Sequence, residues 1–250
     1  MIAIVYSNSS IASLNIAKEI KKIGVPTWAK MYEFNEDEID LPLDTVEEDK
    51  IIVLSKHKSA AGTKSFTTHS LGNFEKAKYG GKEKTLVNSM AQIQTNLLRG
   101  LDTKNDSKHL VCFEVTHHGP FTEKGVCFIE LGSSKEEWKN LDAAKVITKT
   151  VIEDTTKENS DKVVIGIGGG HYTPDFTKLA LRKNYSFGHI CPLYMLDKLN
   201  SNLLTQMIEK TDAKEIVIDW KGLKTYKEKV IELCNKSGLP FERVQRLLKN

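Results

Sequence analysis

The chemistry in this sequence gathers around seven histidines and one carboxylate set inside an apolar run. The run Ile51-Ile52-Val53-Leu54 leads into His57. Val111–Thr116 leads into His117 and His118, and Val163–Gly166 leads into His171. Imidazole titrates near neutral pH and, when neutral, serves as a metal ligand or a general base. Along 111–118 the alternation of a strand puts Cys112, Glu114, Thr116 and His118 on one face. Val111, Phe113, Val115 and His117 take the other. Glu114 beside His118 is then a general-base pair or a carboxylate–histidine metal pair. His189 follows Tyr185-Ser186-Phe187-Gly188, and His69 sits in a long polar stretch, so both are candidates to join them. His109 begins its strand and points to the opposite edge.

Neutral histidines converging with a carboxylate form the donor set zinc takes in catalytic sites, where one position stays open for water. Neither His-Glu-x-x-His nor a cysteine cluster with zinc spacing occurs. The case therefore rests on where the histidines fall together, since each alone reads more readily as a capped or surface residue. The expected metal ligands are His118, His171 and His189. The expected catalytic residues are His57, Glu114 and His117.

Val163-Val164-Ile165-Gly166-Ile167-Gly168-Gly169-Gly170-His171-Tyr172 reads as a buried strand that breaks into a glycine turn and a histidine. Thr173-Pro174 then starts a helix, with proline at the first helical position. Bare amides at such a turn suit an anion or an oxyanion. The run lacks the third glycine of the dinucleotide fingerprint and the Lys-Ser/Thr of a phosphate-binding loop. The other reading is a tight turn bearing a surface histidine. Gly168, Gly169 and Gly170 are expected substrate contacts, with His69 and Thr116. Lys56, Lys58 and Lys64 cluster around His57, and Lys56 and Lys58 are expected to meet phosphates.

These residues need a scaffold. Ile2–Tyr6 reads as a strand, and Ile16, Ile20 and Ile23 as a helix stopped by Gly24 and Pro26. Glu33–Lys50 is acidic and reads as an exposed loop. Thr63–Gly81 reads as a long polar loop. Leu86, Met90, Ile93, Leu97 and Leu98 mark a helix stopped at Gly100, and Val126–Leu131 a strand beside the one at 109–116. Ser134 and Glu137 have capping-box spacing ahead of a long helix with Trp138, Leu141, Ala144, Thr148 and Val151 on one face. Tyr185–His189 reads as a loop, Leu196–Met207 as an amphipathic helix, Ile216–Ile218 as a strand and Tyr226–Ser237 as a helix. This is an α/β pattern with a mostly parallel central sheet flanked by helices. In such sheets ligands bind at the carboxyl ends of the strands, which would bring the histidines to one edge. One domain over 1–250 is expected, with room for a small C-terminal α/β subdomain from about residue 190.

At 250 residues, 40% hydrophobic and 28% charged, the composition is that of a water-soluble globular chain. No apolar run is long enough to span a bilayer, so no membrane partner is expected. The four scattered cysteines suggest a reducing cytoplasmic compartment. A net charge of +3 does not by itself mark a nucleic-acid binder.

Taken together, the motifs resemble the archaeal and plant type of D-aminoacyl-tRNA deacylase. The resemblance is carried by Leu54-Ser55-Lys56-His57-Lys58-Ser59, Thr68-His69-x-x-Gly72-Asn73, Glu114-Val115-Thr116-His117-His118-Gly119-Pro120, Gly166–Tyr172 and Phe187-Gly188-His189. It runs from Met1 to the C-terminal strand. It implies a cytoplasmic hydrolase that frees tRNA from D-amino acids or mischarged glycine, with bound zinc. It also implies a fold related to peptidyl-tRNA hydrolase and phosphorylase-like α/β proteins. The expected partner is D-aminoacyl-tRNA, and the expected state a monomer or weak oligomer. Two other classes fit the residues: a zinc hydrolase of a small amide or peptide, and a non-catalytic tRNA-binding module.

Overall fold

The computed structural model describes residues 1–106 and 109–249. The first half of the chain builds β1 (Ile2–Ser7), α1 (Ile11–Ile23), β2 (Ala29–Phe34), β3 (Lys50–Lys58) and β4 (Ser65–His69). The short strands β5 (Gly72–Asn73), β6 (Thr85–Leu86) and β7 (Asn88–Ser89) follow, then α2 (Ala91–Lys104), β8 (Leu110–Phe113) and β9 (Gly125–Ser133). α3 (Lys135–Trp138) and α4 (Leu141–Asp154) lead to a second series, β10 (Lys162–Ile167), α5 (Pro174–Arg182) and β11 (Tyr185–Cys191). α6 (Ser201–Thr211), β12 (Glu215–Ile218), α7 (Lys227–Ser237), β13 (Phe241–Arg243) and α8 (Val244–Leu247) complete it.

The strands form two main sheets, and the architecture is the expected α/β one. In the first, the order is β2-β1-β3-β9-β4-β8. β1, β2, β3 and β9 are parallel, but β9 meets β4 antiparallel, and β8 runs parallel to β4. The second sheet, β11-β10-β12-β13, is parallel throughout. β8 therefore runs against β3 and β10 lies in another sheet, so the histidine-bearing strand ends do not share one edge.

Alternation within the first sheet decides where the site falls. Ile52, Leu54, Cys127, Ile129, Leu131, Phe66 and Phe113 point to one face, under apolar side chains of α1, α2 and α4. On the other face Ile51, Val53, Val126 and Phe128 begin each strand as apolar core. Further along, the same face turns polar with Ser55 and His57 on β3, Glu130 on β9, and Thr67 and His69 on β4, all buried. Of the expected catalytic residues, His57 thus lies on a sheet face, and Glu114 and His117 follow the end of β8.

Several segments depart from the sequence reading for identifiable reasons. Glu33–Lys50 is not an exposed loop. β2 begins it, and Leu41, Leu43 and Val46 pack on the second face; Glu36, Asp40, Asp44 and Glu47 are exposed, while Glu38 is buried against Lys56. The polar stretch 63–81 contains β4, a fully buried strand whose hydroxyls and histidine serve the site. Tyr185–His189 is also a buried strand, β11, and not a loop. The strand at 109–116 ends at Phe113, and β9 pairs with β3 and β4 instead of β8. The long helix breaks in two because Ser134 caps α3 and Asn140 caps α4, accepting from the Asp142 and Ala143 amides at 3.1 Å. Leu196 and Leu199 precede α6, which Asn200 caps.

α2 begins at Ala91, with Leu86 in β6, and it continues through Gly100. Gly100 is a close-approach residue. A Cβ there would lie 2.1 Å from Asp154 Oδ2 of α4, a carboxylate buried between Lys104 and Lys157. Alanine ordinarily stabilises a helix interior by about 1 kcal/mol over glycine. Here Gly100→Ala is expected to lower stability by about 1–3 kcal/mol through overpacking, read as a fall in thermal midpoint. A raised midpoint would show that the two helices can part at no cost.

Candidate active site

Glu114 sits at the junction of the two sheets. Its residue forms an isolated bridge with Tyr172, and the neighbouring backbone is stitched to the second sheet's loops. The Val115 amide donates to the His171 carbonyl at 3.1 Å, Thr116 to Ile190 at 2.9 Å, and Thr173 back to Phe113 at 3.2 Å. His171, on the turn after β10, is thereby laid over the end of β8. Its Nε2 is 2.7 Å from Glu114 Oε2, while His57 Nδ1 is 3.0 Å from Glu114 Oε1. α3 contributes to holding His57, because the Trp138 indole donates to its carbonyl at 3.0 Å. The other ring nitrogen of His57 is 2.7 Å from the Tyr172 hydroxyl.

A second group lies next to the first. His69, His117 and His118 bring their ring nitrogens within 4.8 Å of one another, as do the donor atoms of His57, Glu114 and His171. Each histidine of the second group faces a backbone carbonyl through Nδ1: His69 that of Ser70 at 3.2 Å, His117 that of Val115 at 2.8 Å, and His118 that of Gly119 at 2.6 Å. A carbonyl only accepts, so each Nδ1 carries the hydrogen, and in the neutral rings of His117 and His118 Nε2 keeps its lone pair. Burial opposes protonation of His69, but its Nε2 faces Glu130, whose carboxylate raises that ring's pKa. That is the arrangement by which ligating histidines are oriented in metal sites. Glu130 runs between the groups, 3.6 Å from His57 Nδ1 and from His69 Nε2, and accepts from Ser55 Oγ at 2.8 Å.

The electrostatics separate the residues. Burial works against ionisation of Glu114, yet the rings of His171 and His57 hold its carboxyl well below the usual range. Burial also opposes protonation of His57, but Glu114 and Glu130 outweigh it and push the ring up to about 11. Burial, with His69 and His118 close by, drives His117 well below the histidine range. Burial, with His69 nearby, takes His118 down to about 4, so both stay neutral at pH 7.

A metal fits both groups. His₃ and His₂Glu are each donor sets of catalytic zinc sites. His69 Nε2 and both oxygens of Glu114 are buried without an aligned hydrogen bond among the described residues. Buried polar atoms are costly unless satisfied, and a cation satisfies all of them.

The predicted residues regroup. His57, Glu114 and His171 come together, as do His69, His117 and His118. The Glu114–His118 pair does not form, because the strand ends at Phe113 and His118 adopts a left-handed backbone with φ 44°. His189 stays out of both groups. It is fully buried on β11, with Nε2 2.9 Å from the Val87 carbonyl and Nδ1 3.0 Å from the Thr116 hydroxyl. Those bonds also occupy Thr116, which borders a cavity. Lys56 is bound to Asp37 at 3.2 Å and to Glu38, leaving exposed Lys58 as the unpaired cation of that pair among the described residues. Lys64 is paired with Glu137, and His109 lies 2.9 Å from the same carboxylate, away from the site as expected.

The glycine run is a turn and borders neither cavity at the site. The Gly168 amide is spent on the Cys191 carbonyl at 2.8 Å, and the Gly169 carbonyl accepts from Leu193. Gly168 and Gly169 have φ of 107° and 85°, and a Cβ at Gly168 would press on Asp219. The run places His171 over Glu114. Glu130, Tyr172 and Tyr194 were missed by sequence reading. Glu130 had a signal, a carboxylate at an inward position of the otherwise apolar Val126–Leu131.

Residues 45–242 match the family described as D-aminoacyl-tRNA deacylase. Proteins named D-aminoacyl-tRNA deacylase from Methanocaldococcus jannaschii and Pyrococcus furiosus are 38% and 37% identical to this chain. The alignments cover 96% of the chain and 98% of the first relative, and 84% and 78% for the second. A crystal structure titled as a conserved protein of unknown function superposes over 100% of this chain and 97% of its own, with a TM-score of 0.92 at 28% identity. This chain belongs to the D-aminoacyl-tRNA deacylase family, a family of hydrolases acting on ester bonds.

Two substitutions check these placements. His189→Ala is expected to lose about 1–3 kcal/mol of stability, by orphaning the Thr116 hydroxyl and Val87 carbonyl, with metal content by elemental analysis unchanged. Gly169→Ala is expected to cost about 1 kcal/mol through its positive φ, with little loss of kcat/KM in the folded protein. Metal lost with His189, or activity lost at Gly169 with the midpoint kept, would reverse these assignments.

Proposed function

We propose that this chain is a cytoplasmic D-aminoacyl-tRNA deacylase that hydrolyses the ester between a D-amino acid, or mischarged glycine, and the terminal ribose of tRNA. The observation that carries the reading is the pair of donor groups converging around Glu114, in a chain of this family. Residues of both sheets supply the site, which supports a single deacylase domain.

Zinc is the metal we infer, with His69, His117 and His118 as one donor set and His57, Glu114 and His171 as the other. When bound, zinc polarises a carbonyl and lowers the pKa of water toward about 7. Water adds to the acyl carbon, the bond to the ribose oxygen breaks, and that oxygen leaves with a proton. The products are the free amino acid and tRNA. The chain's part is to hold and orient. Backbone carbonyls fix the three Nδ1–H groups, and Glu130 with Ser55 braces the space between the two groups. His57 is held in orientation between the Tyr172 hydroxyl on Nε2 and Glu114 on Nδ1. Lys58 lies at the cavity rim for a tRNA phosphate. An L side chain is rejected by a wall that clashes with it.

The deciding experiment is deacylation of matched D- and L-aminoacyl-tRNA, with chelator and with added zinc. D substrates should be hydrolysed and L substrates spared, with activity lost to chelator and restored by zinc. His117→Ala and Glu114→Ala should each lower kcat/KM by at least about a hundredfold. Equal rates on D and L substrates, or cleavage of peptides alone, would sink the proposal. For tRNA affinity, Lys58→Ala should reduce the log–log salt slope by roughly 0.7–0.9, and Lys56→Ala should leave it unchanged because that lysine is already paired.

A further inference from the structure

Two cavities open on the histidine groups, one of about 300 Å³ and one of about 270 Å³. They share Tyr79, His117, His118 and His171 as a dividing ridge. The substrate of the proposed reaction also has two arms on either side of the scissile ester, an aminoacyl arm and an adenosine arm. The larger cavity is walled by ionic groups, including Asp37, Glu38 and Glu130. The smaller is walled by Phe74, Tyr79, Tyr194 and Met195, with Lys76 and Lys78 on its rim. Tyr79 and Tyr194 are 68% and 52% exposed, so two large aromatic rings face solvent at the mouth of a site. Lys76 and Lys78 are exposed too. Aromatic rings beside exposed cations are what a nucleotide needs: the base stacks and the phosphate meets the charge.

We infer that the Phe74–Tyr79–Tyr194–Met195 cavity binds the terminal adenosine of tRNA, with its phosphate on Lys76 and Lys78, and that the aminoacyl arm enters the Asp37–Glu38–Glu130 cavity. The inference rests on the deacylase reading and adds to it which arm goes where. The larger cavity is lined by charges of both signs, Lys56, Lys58 and His57 beside Asp37, Glu38 and Glu130, and takes the aminoacyl arm because the aromatic cavity takes the base. The ester then lies over the ridge of His117, His118 and His171. A base pocket at this place makes recognition independent of the tRNA's identity, because every tRNA ends in adenosine.

The test uses adenosine 5′-monophosphate and adenosine as probes of the whole chain. Calorimetry should show that the wild type binds both, with the monophosphate tighter. Tyr194→Ala should weaken both about tenfold, the ordinary size of a stacking loss. Tyr194→Phe should retain binding. Lys76→Ala with Lys78→Ala should weaken the monophosphate and spare adenosine. With D-tyrosyl- and D-alanyl-tRNA, Tyr194→Ala should raise KM by the same factor for both. Unchanged monophosphate binding in Tyr194→Ala would overturn the inference. So would a KM effect that differs between the two amino acids, which would make this the side-chain pocket. Equal weakening by Tyr194→Phe would overturn it too, by tracing the effect to the hydroxyl 3.4 Å from His171 Nδ1. Binding is read without turnover. A chain that binds the monophosphate as described and deacylates nothing would defeat the deacylase reading and leave the pocket standing.

Discussion

A buried carboxylate flanked by two imidazoles sets the terms for this structure. Glu114 is 1% exposed, with His171 and His57 on its two oxygens. An ionised group in such a place is tolerated only with close opposite charge or a metal. Both partners must therefore be delivered accurately, and they come from different sheets. His57 comes from the long strand β3, where α3 grips its carbonyl through Trp138. His171 comes from a glycine turn whose two left-handed residues bring the chain back onto β8. The stitching of Val115 to His171 and Thr116 to Ile190 joins the sheets at this point. The site and the seam between the sheets are the same place.

Much of the site was legible in the sequence, and the reason is physical. An apolar run that ends in histidine is a strand delivering a ring to its end, and His57, His117 and His171 all carry that signature. What was not legible is direction. Nothing local tells β8 that it will run against β3, because the choice is made by β9 pairing parallel to one neighbour and antiparallel to the other. The expected shared edge was wrong, yet the residues still meet, since alternation puts Ser55, His57, Glu130, Thr67 and His69 on one face.

Polar residues inside buried strands account for other misreadings. Ser65, Thr67 and His69 look like loop composition, as do Ser186, Gly188 and His189, and both segments are strands with essentially no exposed surface. In β4 the polarity serves the metal-competent groups. In β11 it serves a bond to Val87 and Thr116, so equal sequence signals lead to unequal roles. The acidic segment before β3 shows the opposite error. Its Leu41, Leu43 and Val46 are few, but they cover the one sheet face that the flanking helices leave bare.

The carbonyls that hold His69, His117 and His118 belong to the main chain of Ser70, Val115 and Gly119. In many metal sites the outer acceptors are aspartate or glutamate side chains, which a single base change can delete. Here no point mutation removes an acceptor, since every residue type carries the same carbonyl. The tautomers of these rings are thus written into the path of the chain and not into its alphabet. Drift at the three acceptor positions leaves the geometry of the rings in place so long as the chain path holds. Retuning that geometry takes a shift of the backbone, which evolution reaches by insertion, deletion or a change at glycine or proline more readily than by exchanging one side chain for another.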